Sequence, residues 1–122
     1  MTPKEKGIYT LVKNELIEEI IPPEYQDNKI NHPMYGHCHH AALTLYILLG
    51  GKEKGYKLQK AIDNDDITHY WLINKNNEII DPTKEQYTDL NRELPYHNKK
   101  EHGVSYRKTK AVKYLLGKIT QA

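Results

Sequence analysis

Apolar residues recur at helical spacing through Ile8, Leu11, Val12, Leu16, Ile20 and Ile21, which predicts a helix over 8–21 with one buried stripe. Pro22-Pro23 stops it. Residues 22–36, PPEYQDNKINHPMYG, are rich in turn formers and read as a loop. A second helix is predicted over 37–49, with positions 38, 41, 42, 45 and 49 on one apolar face, Tyr46 and Leu48 flanking it, and Gly50-Gly51 ending it.

The period then changes. Tyr56 to Ile62 reads as a strand, and Thr68-His69-Tyr70-Trp71-Leu72-Ile73 is rich in β-formers. Asn74 to Asn77 is a turn, and Glu78-Ile79-Ile80-Asp81 is the returning strand of a hairpin, closed by Pro82. Residues 83–90 have room for one or two helical turns. Residues 91–104 read as a polar loop. Ala111, Val112, Leu115, Leu116 and Ile119 form a last helix with a basic outer face. Helices first, then a small antiparallel sheet, then a helix, make one α+β domain over residues 1–122.

Composition narrows the function classes. The 122 residues are 38% hydrophobic and 28% charged with a net charge of +2, enough for one modest core and too balanced to announce nucleic acid. No apolar run approaches the roughly 18 residues of a spanning helix, so no membrane partner is expected. The N-terminal stretch lacks the apolar centre of a signal peptide. A single cysteine makes no internal disulfide and no four-thiolate zinc site. A reducing cytoplasm is the expected location.

That cysteine, Cys38, opens the second helix. There the positive end of the helix dipole and the unpaired backbone N–H groups favour the thiolate. The same N–H groups can bind the oxyanion formed when a thiolate attacks a carbonyl. Taken alone, Cys38 also fits a core residue that continues the stripe of 41, 42, 45 and 49. His69 lies on the predicted strand 68–73, and Asp81 ends the strand returning from the hairpin. With Ile73 opposite Glu78, His69 lies near the 81–82 end of the same hairpin. A thiol needs a base, and the base needs a partner that fixes its tautomer. Singly, His69 is also readable as a strand histidine beside Trp71, and Asp81 as a turn residue in Asp-Pro-Thr.

Two rival constellations compete. Adjacent helical residues point about 100° apart, so His37, His39 and His40 cannot converge with Cys38 on one ion. His32 and His69 can join one or two of them in a zinc site with an open position, although the spacing fits no closed zinc pattern. Lys99, Lys100, Arg107, Lys108, Lys110, Lys113 and Lys118 concentrate positive charge in the last quarter, either as a phosphate-binding patch or as a solvated helix face. No glycine-rich phosphate loop is present.

The strings Gly36-His37-Cys38, Leu48-Leu49-Gly50-Gly51, His69-Tyr70-Trp71-Leu72 and Ile80-Asp81-Pro82-Thr83 with Gln86-Tyr87, followed by a basic Ser105-to-Ala111 stretch, resemble a group of small bacteriophage proteins. These belong to the papain-fold and transglutaminase-like cysteine enzymes. The resemblance covers roughly residues 34–119. It implies a Cys38 nucleophile, a His69 base and an Asp81 orienting acid on a minimal core of helices packed on a small antiparallel sheet. It implies acyl transfer at amides: hydrolysis, glutamine deamidation or transamidation, on a protein or peptide-like host substrate in the host cytoplasm. It carries Tyr35, Gly36, His37, Trp71 and Gln86 as candidate binding residues, with Gln26 and Tyr35 considered as oxyanion donors. No cofactor and no metal is implied. The alternative is a non-catalytic binding protein of the same fold that inhibits a host factor. An intact Cys38, His69 and Asp81 set favours chemistry.

Overall fold

Thr2 starts the first helix. Its hydroxyl accepts from the Glu5 N–H at 3.1 Å while the Glu5 carboxylate accepts from the Thr2 N–H at 2.8 Å, a reciprocal cap that satisfies two orphan donors. Pro3 takes the first helical position, where no N–H is needed. The computed structural model describes residues 1–26, 29–100 and 102–120. Positions 27 and 28 of the expected 22–36 loop, and 101 of the expected 91–104 loop, lie outside the described residues.

Helix α1 runs Pro3–Asn14, so it begins and ends earlier than the predicted 8–21. Glu18–Ile20 and Pro23–Tyr25 each make a single 3-10 turn instead. Ile17, Ile20 and Ile21 are β-branched, and Ile17 and Ile21 take extended dihedrals on either side of the first turn. The apolar spacing therefore continues past the helix that it was expected to describe. Leu16 packs on the core, while Ile20 and Ile21 line a groove.

Helix α2 spans Cys38–Leu48, with His37 as its N-cap and Gly50 leaving it at φ 105°. Its expected single apolar face is corrected: Cys38 and His40 through Leu45 are all buried. The sheet, α1 and the last helix all pack on it, which leaves little of its circumference to solvent.

The strands are β1 Lys57–Ile62, β2 Thr68–Ile73, β3 Ile79–Ile80 and β4 Lys99–Lys100. The remaining helices are α3 Glu85–Thr88 and α4 Lys110–Thr120. The sheet order is β3-β2-β1-β4, and every pairing is antiparallel. The chain is thus α+β, with four α-helices and a four-stranded antiparallel sheet among the described residues. Strand β4 falls inside the segment expected to be loop. It pairs Lys100 with Lys60 and Lys99 with Ala61, and two exposed lysines carry no alternation that marks a strand.

The hairpin register differs by one residue from the expectation. Ile73 pairs with Ile79 and Leu72 with Ile80, in place of Ile73 opposite Glu78. The Asn74 side-chain oxygen accepts from the N–H groups of Asn76 at 2.9 Å and Glu78 at 3.0 Å, and Asn77 sits at φ 60°. This organised turn takes in Glu78 and shifts the pairing.

Cross-strand partners share a face of the sheet. Leu58, Tyr70, Leu72 and Ile80 join the core with α2. His69 and Trp71, one residue out of phase, face the other side, where the rings of Tyr87 and Tyr96 cover them. No helix among the described residues is long and apolar enough to cross a membrane.

Candidate active site

Cys38 occupies the first position of α2, and His37 offers no side-chain cap to that helix. The first-turn N–H groups therefore have no intrahelical acceptor and no capping side chain. Cys38 is 5% exposed and lines an open groove of about 800 Å3. Its lining includes Pro22, Tyr25 and Gln26 from the chain before α2 and Ser105, Arg107 and Lys110 from the chain entering α4.

Strand β3 pairs with β2 only at Leu72 and Ile73, so it does not reach Thr68 to Trp71. The Thr68 carbonyl accepts the Cys38 thiol at 3.5 Å. His69, the next residue, is fully buried and interacts electrostatically with Cys38. Its Nε2 donates to Asp81 Oδ2 at 2.6 Å. Its Nδ1 is buried without a hydrogen-bond partner. That nitrogen is the one left for a thiol or substrate.

Asp81 is held on every side. Tyr96 donates to Oδ2 at 2.7 Å, and the Thr83 N–H donates to Oδ1 at 3.1 Å. The Tyr9 hydroxyl donates to the Asp81 backbone carbonyl at 3.1 Å. Burial opposes a charge on His69, but the Asp81 carboxylate, the bond to it and the nearby Cys38 outweigh that cost. Together they hold the imidazole well above its ordinary value. Burial, Asp81 and the bond between them push the Tyr96 hydroxyl up in turn, so it stays a donor.

The His69 ring is boxed in. Trp71 stacks on it at 5.8 Å between centroids, and the Tyr87 ring meets it edge-on at 4.7 Å. Tyr87 is itself fixed, its hydroxyl donating to Asp63 Oδ2 at 2.7 Å beneath the Arg92 guanidinium. Arg92 donates to the same Asp63 oxygen at 2.7 Å.

The structure brings Cys38, His69 and Asp81 together, and it sets Gly36 on the groove with Cys38. The other candidates lie inside. Tyr35 is buried edge-on to Tyr25 at 5.5 Å. His37 is 1% exposed, and its Nδ1 meets His40 Nε2 at 2.7 Å. Trp71 is 2% exposed against His69, and Gln86, also buried, donates to Thr83 Oγ1 at 3.3 Å. Gln26 lines the groove, with its side-chain amide donating to the Ile21 carbonyl at 3.0 Å.

The histidines considered for zinc go to separate partners. His32 meets Asp89 at 2.9 Å, His37 and His40 meet each other, and His39 meets the Ser105 carbonyl at 2.9 Å. Among the described residues, no three His, Cys, Asp or Glu side chains are grouped to hold a metal ion.

Tyr96 is the member that the sequence did not mark. It follows Pro95 in a polar run with neither helical nor strand spacing. No protein-family model, curated protein or solved structure significantly matches the chain.

Proposed function

We propose that this chain is a cysteine-dependent acyl-transfer enzyme acting on amides, built as a minimal papain-like or transglutaminase-like core. One observation carries the reading. A buried imidazole has one nitrogen bonded to a buried carboxylate at 2.6 Å and the other unpartnered, beside the single thiol of the chain.

The chemistry follows from those contacts. The thiol turns from the Thr68 carbonyl toward His69 Nδ1, and the raised proton affinity that Asp81 gives the imidazole keeps the proton on Nδ1 and leaves a thiolate–imidazolium pair. The Cys38 sulfur attacks the amide carbon, and the oxyanion is met by N–H groups of the first turn of α2. Nδ1–H then protonates the departing nitrogen as the C–N bond breaks, which leaves a thioester. Water or an amine, deprotonated by Nδ1, attacks the thioester and releases Cys38. Water on a peptide bond gives hydrolysis, water on a glutamine side chain gives deamidation, and an amine gives transamidation. The phage-like sequence strings favour a host protein as the substrate.

A specific observation favours a second reading, a binding protein without turnover. His69 is 0% exposed, and the thiol donates to the Thr68 backbone carbonyl at 3.5 Å. The rate of Cys38 alkylation from pH 5 to 9, in the native protein and in His69→Ala, separates the two. The enzyme reading expects alkylation that persists below about pH 7 and slows on removing His69. Alkylation that is negligible until the protein unfolds makes Cys38 a core residue and overturns it. Turnover on amide or glutamine substrates that survives Cys38→Ala removes Cys38 from the chemistry.

A further inference from the structure

The groove beside Cys38 has walls of opposite charge. Glu19 and Glu24 line it from the segment before α2, taken as one wall, and Arg107 and Lys110 from the chain entering α4, taken as the other. None of these four side chains has a hydrogen-bond or ion-pair partner among the described residues. No ion pair joins Glu19 or Glu24 to Arg107 or Lys110 among the described residues, although the turn bearing Glu19 packs on α4.

Both walls are anchored close to the thiol. His39, the residue after Cys38, donates from Nε2 to the Ser105 carbonyl at 2.9 Å, and the Ser105 hydroxyl accepts the Arg107 N–H at 3.3 Å. The basic wall is thereby tied to the first turn of α2. The acidic wall is stiffened by Pro22-Pro23 and by the Tyr25 N–H bonded to the Pro22 carbonyl at 2.9 Å. Gly36, at φ 88°, lets that wall settle onto the entry to α2: a Cβ there stands 2.8 Å from both Ile21 Cγ2 and Tyr25 Cβ.

We propose that the groove selects a polypeptide segment bearing both charges, an acidic side chain against Arg107 and Lys110 and a basic one against Glu19 and Glu24. This rests on the reading of Cys38 as the acyl-transfer nucleophile. A small ligand of one charge satisfies one wall and repels the other. A peptide supplies side chains of both signs with an amide between them, and the groove of about 800 Å3 lies within the usual range of ligand sites, roughly 300–1,000 Å3.

The test uses the whole chain and three methanethiosulfonates of similar reach: neutral methyl, anionic sulfonatoethyl and cationic trimethylammonioethyl. The neutral reagent reports access to Cys38, and the charged-to-neutral rate ratios report the walls. Arg107→Gln with Lys110→Gln is expected to lower the anionic ratio about threefold or more at low salt and to spare the cationic one. Glu19→Gln with Glu24→Gln is expected to do the reverse. Both effects shrink toward nothing at roughly 0.5 M salt. Ratios that do not move, with neutral modification intact, overturn the two-signed selection and leave the Cys38 reading standing. A response at one wall alone overturns it in favour of a ligand of one charge. No neutral modification until the protein is unfolded removes the nucleophile reading and this inference with it.

Discussion

Tyr96 and His69 share one oxygen. Both donate to Asp81 Oδ2, at 2.7 and 2.6 Å, so the carboxylate that orients the imidazole is itself held by a hydroxyl from the chain covering that face of the sheet. Tyr96→Phe keeps the ring against Trp71, 4.9 Å away, and deletes only that donor. A hydrogen bond to a charged group contributes about 1.5–3 kcal/mol, and the half-buried site puts the loss near the lower end. With one donor fewer, Asp81 pulls harder on the His69 proton, and the His69 titration moves up. Urea unfolding measures the first effect and the histidine NMR titration the second. A His69 titration unchanged or moved down shows that Tyr96 does not bear on the imidazole.

Asp81→Asn removes the charge that outweighs the burial of His69. The imidazole of the native protein is raised above its ordinary value, so the fold binds its proton more tightly than the unfolded chain does. That stability is fully present below about pH 6.5 and is lost as pH rises through the higher folded value. The native protein is therefore expected to lose stability on the alkaline side, and Asp81→Asn is expected to be less stable near neutrality and flatter with pH. Urea midpoints from pH 6 to 10 for both proteins show it. Equal slopes count against the assignment.

His37 and His40 predict the opposite slope. Burial pushes His37 down to about 4, and burial with its histidine neighbours pushes His40 down to about 3. Both are neutral in the fold and titrate near pH 6.5 when it opens. Their contribution is present above that pH and is lost as pH falls toward the folded values. His37→Leu with His40→Leu replaces both partners of the 2.7 Å bond by apolar groups of similar size, a change that can be nearly neutral at pH 7. The double variant is expected to resist acid better than the native protein in thermal melts from pH 7 to 4. A parallel loss in both proteins places the acid sensitivity elsewhere.

Gly36→Ala is expected to cost about 2 kcal/mol or more, from the left-handed backbone and from a Cβ 2.8 Å from Ile21 and Tyr25. The acidic wall must lift for the new methyl to fit. Slower modification of Cys38 by the cationic reagent, together with a lower melting temperature, is the expected pair of results. An unchanged melting temperature contradicts the close approach at Gly36.

The site was legible where chemistry coincides with local pattern. Cys38 before an apolar helical run, His69 in a β-rich run and Asp81 before Pro82 were each marked by their neighbours, and α+β followed from the order of periods. What stayed hidden depends on side chains that organise backbone at a distance or out of period. The Asn74 side chain moved the hairpin register by one residue, a shift that apolar alternation over two-residue β3 is too short to reveal. Tyr96 reaches Asp81 from a 3-10 turn, Tyr96–Asn98, that no apolar spacing announces. The helix expected over 8–21 holds only to Asn14, because the β-branched isoleucines ahead of Pro22 take extended and 3-10 backbone that leaves Ile17 exposed and Ile20 and Ile21 half-buried.

The outer rim of the sheet has a consequence for assembly. Beyond β1 the sheet closes with β4, whose two residues are both exposed lysines. An incoming strand finds a ladder too short to hold it and a pair of like charges beside it. Addition of further strands is disfavoured where β4 stands, a charged guard over the Lys60–Ala61 stretch of β1.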